Sequence, residues 1–249
     1  MRPLPTMKLL KEPGAILSVV FLALATLVTL ALHEPAPTSA QVEAVSMKAA
    51  QTADPAAEQR LRNWASEGLP VAQRELALLY RGRPGTAQEV RQMFAYAAGK
   101  GDAEAAFQLA ELERAHGESA KAVSWYTQAA ERKHAKAALM LALVLRNGEA
   151  GTRDDAGAAK WLALSAGQGN AHAMFLLSNV YNEGRGVPRD PAMGRKLLEE
   201  AAEHDYPPAL QELAMTVQAG DAFTPKDELR ASHLMKEATE HRQNNWNRF

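Results

Sequence analysis

The sequence predicts an all-α protein, an α-solenoid of stacked helix–turn–helix repeats preceded by one N-terminal hydrophobic helix. Three observations predict it. A small-residue pair recurs every 32–36 residues, alanine and leucine recur at fixed offsets behind it, and glycine and proline punctuate the intervals. The bulk composition agrees. Apolar residues make up 47% and charged residues 23% of 249 residues, which excludes a disordered tail. Aromatics are only 6%, and the abundance of alanine favours closely packed helices over a sheet. With 28 Lys and Arg against 29 Asp and Glu, the net charge of −1 excludes a nucleic-acid binder that works through a basic face. There is no cysteine, so disulfides, thiol catalysis and Cys-ligated metal centres are excluded.

The elements follow in chain order. Arg2, Lys8 and Lys11 precede an uncharged apolar stretch at 15–32, AILSVVFLALATLVTLAL. Its 18 residues reach the length of a membrane-spanning helix and exceed the core of an ordinary signal peptide. Thr38, Ser39 and Ala40 before Gln41 also offer a cleavage site, so 1–32 reads as a signal-anchor or a cleaved signal. The basic residues ahead of it keep the N-terminus in the cytoplasm. On this reading the repeats lie outside, membrane-anchored through an uncleaved segment or periplasmic or secreted after cleavage. Residues 33–54, rich in Pro, Ala, Ser and Thr, read as a linker with a weak helix at 41–52.

The repeat occupies 55–242. The second residue of each small pair stands at Ala65, Ala98, Ala130, Ala166, Ala202 and Ala238, spaced by 33, 32, 36, 36 and 36. Seven residues after the first five come Ala72, Ala105, Ala137, Ala173 and Ala209. Eleven residues after them come Leu76, Leu109, Leu141, Leu177 and Leu213. Large apolar residues precede each marker by four or five positions, among them Leu61, Phe94, Trp125, Trp161 and Leu198, and complete a stripe at the helical period. Trp125 and Trp161 are assigned to the repeat core together with the ten alanines and leucines.

Turn chemistry supplies the boundaries. Three residues after the marker stand Gly68, Gly101 and Gly169, suited to a left-handed helix end, whereas Lys133, Asp205 and His241 take that place at a steric cost. Gly82, Gly117, Gly148, Gly184 and Gly220 close the second helices. New first helices are expected at Asp54-Pro55, Asp190-Pro191 and Thr224-Pro225, and Thr86 with Glu89 fits a capping box. The array amounts to about five and a half repeats, with 243–249 as a tail.

The segment 158–169, AAKWLALSAGQG, runs on to Ala173, Leu177, Tyr181 and the string Gly-Arg-Gly-Val-Pro-Arg-Asp at 184–190. The segment 122–133, AVSWYTQAAERK, is followed by Ala137, Leu141 and Ala142. Both resemble the Sel1-like repeat, a relative of the tetratricopeptide repeat. The first two units, of 33 and 32 residues, depart toward tetratricopeptide length. The resemblance implies a right-handed superhelix whose concave face binds another protein, as a scaffold or adaptor of the cell envelope. An envelope hydrolase or a cell-wall-glycan-binding regulator on the same repeats is the alternative.

Catalytic constellations are weak by comparison. His134, His172 and His204 fall at the turns of consecutive units, too far apart to share one metal, and read as solvated turn residues. Glu199-Glu200 reads as a solvated helix face and Asp154-Asp155 as a helix start. The Gly-Lys-Gly at 99–101 and the Gly-Arg-Gly at 184–186 lack the rest of a phosphate loop. The sequence therefore predicts no enzyme, cofactor, metal site or nucleic-acid partner. One column, two residues before each marker, varies while its neighbours do not: Asn63, Tyr96, Gln128, Leu164, Glu200 and Lys236. Tyr96, Gln128 and Leu164 are the expected contacts to a protein partner.

Overall fold

The computed structural model describes residues 36–245. A boundary after Val42 divides the chain into two units, and the repeat array lies in the second, from Glu43 onward. Among the described residues there are twelve helices and no strand. Helix α1 spans Ser39–Thr52, and five helical hairpins follow. They pair α2 (Pro55–Ser66) with α3 (Pro70–Tyr80), α4 (Ala87–Gly99) with α5 (Ala103–Ala115), and α6 (Ser119–Glu131) with α7 (Ala135–Asn147). The last two pair α8 (Asp155–Gly167) with α9 (Ala171–Glu183) and α10 (Pro191–Glu203) with α11 (Pro207–Ala219). A single helix α12 (Glu228–Asn245) closes the array.

The small-residue columns explain the stacking. Ala72, Ala105, Ala137, Ala173 and Ala209 are all wholly buried, and the leucines four positions later are nearly so. An alanine lets a neighbouring backbone approach, and the leucine on the next turn of the same face fills the space beside it. From the first helices, Leu61, Phe94, Tyr126, Leu162 and Leu198 enter the core four positions before each marker. Trp125 and Trp161, one position earlier, lie at the edge of that stripe and are half-buried. A continuous core runs from Leu139 through Leu162, Leu198 and Leu213 to Ala238. Throughout, the second helix of one hairpin packs more extensively on the first helix of the next than on its own hairpin partner.

The tight turns inside the hairpins obey the glycine rule and its exceptions. Gly68, Gly101 and Gly169 have φ of 84°, 96° and 86°, while Lys133 and Asp205 adopt the same left-handed turn at 65° and 58°. His241 has no turn to make, because α12 continues through it to Asn245. The residue after each turn is the N-cap of the second helix. Asp102, His134 and Asn170 there accept the backbone N–H of Ala105, Ala137 and Ala173 at 2.8, 3.0 and 3.0 Å. In these three units the buried alanine is thus also the capped third residue of its helix.

Within 33–54 the weak helix expected at 41–52 is present as α1, Ser39–Thr52, and its Glu43 pairs with Arg74 of α3 at 2.6 Å. Several expectations need correction. Thr86 makes no capping box. With φ −97° and ψ −1° its hydroxyl turns back to donate to the carbonyls of Tyr80 and Arg83. Thr224-Pro225 does not open the last helix. Asp227 does, accepting the N–H of Arg230 at 2.9 Å, while the Thr224 hydroxyl accepts from buried Arg195 at 2.7 Å. The predicted localisation is also corrected. No described helix is long and apolar enough to cross a membrane. The 15–32 segment on which that expectation rested lies outside the described residues, as does the end of the tail.

Candidate protein-interaction surface

Successive first helices α2, α4, α6, α8, α10 and α12 each carry one residue of the variable column. Its neighbours one and two positions on are mostly buried alanines, so the column sits where the helix emerges from the core. Tyr96 and Leu164 are 40% and 39% exposed, which makes them two of the larger exposed apolar side chains. The Tyr96 hydroxyl donates to the carbonyl of Gly68 at 3.2 Å, and Lys100 lies over its ring at 5.6 Å. Gln128 is half-buried and its amide donates to the carbonyl of Ala98 at 2.8 Å. Both polar atoms therefore reach back to the preceding hairpin and satisfy carbonyls at a helix end. Asn63 accepts from Gln59 at 3.0 Å, Glu200 pairs with Lys196 and Lys236 with Glu240. Tyr96, Gln128 and Leu164 occupy equivalent places on three consecutive first helices, the first two held rigidly by the hairpin before them.

Other sequence-selected groups are absorbed into structure. His134 accepts from Ala137 through Nδ1, so Nε2 carries the proton toward Glu104 at 2.9 Å, and its ring stacks on Phe107 at 4.8 Å. That bond is the main cause holding the Glu104 carboxyl below its ordinary range. His172 is half-buried and stacks on Tyr206 at 5.3 Å. Burial first, and the charge of Arg146 second, lower its pKa. The expectation of solvated turn histidines thus fails for His134 and His172, whose rings pack on aromatics, and describes only exposed His204. Glu199 holds Arg195 at 2.8 Å and Asp154 caps α8 through the N–H of Gly157 at 2.8 Å.

The sequence reading missed two clefts. One, of 470 Å³, is lined by Arg81, Arg83, Arg91, Glu113 and His116, but its cations are already committed. Arg91 holds buried Glu113 at 2.6 Å, Arg83 holds Glu58 and Arg81 donates to Gln108. The other, of 450 Å³, is lined by Lys136, Gln168, His172 and His204. The sequence reading also missed a cluster in which Asp205, Glu237 and His241 bring ligand atoms within 4.8 Å of one another. The sequence signal for it is that Asp205 and His241 both stand in the glycine column.

The Sel1 repeat family model matches residues 103–134, 135–170, 171–206 and 207–241, more than half of the chain. The chain belongs to the Sel1 repeat family. These matched units begin at α5, α7, α9 and α11, and each joins a second helix to the next first helix, the same pairing that packs most extensively. Residues 55–102 lie outside the match. Two solved structures share the fold at 24% identity. A Sel1 repeat protein from Oxalobacter formigenes aligns with a TM-score of 0.70 over 82% of this chain and 88% of its own. A protective antigen of uropathogenic Escherichia coli with an SLR fold aligns with a TM-score of 0.71 over 82% of this chain, which spans only 46% of that one. No curated protein matches the chain in sequence. Sel1 repeat arrays are typically protein-interaction scaffolds and generally non-catalytic.

Proposed function

We propose that this Sel1 repeat protein is a non-enzymatic scaffold whose array, residues 55–242, binds a protein partner along the first-helix face, with Tyr96, Gln128 and Leu164 in contact. The observation that carries the reading is the exposure of Tyr96 and Leu164 at equivalent positions, between hairpins whose other column members are spent on local pairs. Pre-ordered side chains lose little conformational entropy on binding, and Tyr96 and Gln128 are fixed by their bonds to Gly68 and Ala98. An aromatic ring and a leucine flanking a half-buried amide suit an extended or helical segment of mixed polarity.

Crosslinking in native extracts with mass spectrometry, using the parent and a Tyr96→Glu/Leu164→Glu double variant, tests this reading. Neighbours captured by the parent should be lost by the variant, while its helix content stays that of the parent and only the thermal midpoint falls with loss of the Tyr96–Gly68 bond. Equal capture by both proteins would refute the assigned face.

A further inference from the structure

Asp205 lies in the left-handed turn between α10 and α11. Glu237 and His241 lie one turn apart on α12, so both project from the same side of that helix. We propose that Asp205, Glu237 and His241 form a binding site for a divalent cation of the zinc type, which clips the terminal helix to the α10–α11 turn.

Spacing supports the assignment. His241 Nε2 and Asp205 Oδ1 stand 3.4 Å apart. That is long for a charge-assisted hydrogen bond. It matches the edge of a tetrahedron with metal–ligand bonds of 2.0–2.1 Å, which is about 3.3–3.4 Å. With all three ligand atoms inside 4.8 Å, small rotamer adjustments complete a three-ligand face and leave a fourth place for water. One imidazole with two carboxylates favours a first-row metal over calcium or magnesium, which take oxygen ligands in larger number.

Charge and access point the same way. Among the described residues neither Asp205 nor Glu237 is ion-paired with a lysine or arginine. A cleft of 370 Å³ opens beside them, lined by Glu199, Glu203, Asp205 and Glu237 against a single Arg230. Glu199 is paired with Arg195, and the remaining carboxylates, Glu203, Asp205 and Glu237, give the opening a local field that attracts a cation and supply a path for its entry. Position gives the site a consequence. The α10–α11 interface is the least extensive of those between neighbouring helices of the array, whereas α12 packs broadly on α11. A cation linking the turn after α10 to α12 would close that loose seam.

The test uses the full chain, freed of metal with a chelator and titrated with Co²⁺ and then Zn²⁺. The expected result is the visible absorption of tetrahedral Co²⁺ at one equivalent per chain, displaced by Zn²⁺, with a rise in thermal midpoint on Zn²⁺ addition. His241→Ala and Asp205→Asn should each weaken binding more than roughly tenfold, the loss that even an outer-shell partner costs a metal site. Asparagine tolerates the left-handed turn, so Asp205→Asn separates ligation from folding. His233→Ala, on an exposed part of α12, should leave binding unchanged. Absence of a tetrahedral spectrum, or equal binding by parent and His241→Ala, would overturn the proposal.

Discussion

Lys133 holds φ at 65° where three other units use glycine. An L-residue in that region costs about 1–2 kcal/mol, partly offset by the lower chain entropy it has when unfolded. Lys133→Gly should therefore raise the denaturation free energy by about 0.5–1 kcal/mol, read from the urea midpoint. His172 makes the second residue-scale prediction. Burial lowers its pKa below the ordinary 6.5, so the folded protein keeps it neutral after the unfolded chain has taken up a proton. The stability it contributes is complete above pH 6.5 and is lost as pH falls through the lowered value. His172→Phe keeps a ring against Tyr206 and removes the proton. The variant's urea midpoint should fall less than the parent's between pH 7 and pH 5. Parallel curves would show that other groups dominate.

At the scale of the helix, the second-helix caps are the clearest device. Asn170→Ala removes the acceptor for a buried alanine's N–H and should cost about 1 kcal/mol, measured by denaturant unfolding. Leu69 and Tyr206, in the same place, make no side-chain cap bond, so Leu69→Asp is the reciprocal variant and should stabilise α3. These caps also mark how far the sequence could be read. The alanine and leucine columns were legible because close approach of two backbones tolerates almost no other side chain. The cap column was not, since Asp, His and Asn share only an acceptor atom and look unrelated as letters. Thr86 misled because its spacing to Glu89 suits a box while its backbone, set by the turn at 83–85, does not. Helix α1 carries little amphipathic pattern, and its Ala- and Ser-rich sequence reads equally as linker. Of the interaction surface, the variable column was legible as a pattern, but the bonds of Tyr96 and Gln128 to the preceding hairpin join residues 28 and 30 apart and leave no local signal.

For the whole molecule, stability is close to a sum of unit terms and nearest-neighbour interfaces. Leu141→Ala, in the middle of the array, empties a buried site and should cost about 2–5 kcal/mol. Native-state hydrogen exchange should show faster exchange spreading from α7 to its neighbours and sparing α12. Uniform acceleration along the chain would mean that the array unfolds as one unit.

The greater packing between hairpins than within them reverses an intuition about where such a chain comes apart. The long loops at 148–154, 184–190 and 220–227 look like hinges, yet they join helices that grip each other most. The short turns that look rigid join the partners that grip least. If the protein were supplied as two pieces, a break between α10 and α11 would leave both with closed helix pairs. A break in the 184–190 loop would strip each of its best-fitting neighbour. Pieces divided at the tight turn should stay soluble apart, and those divided at the loop should depend on finding each other again.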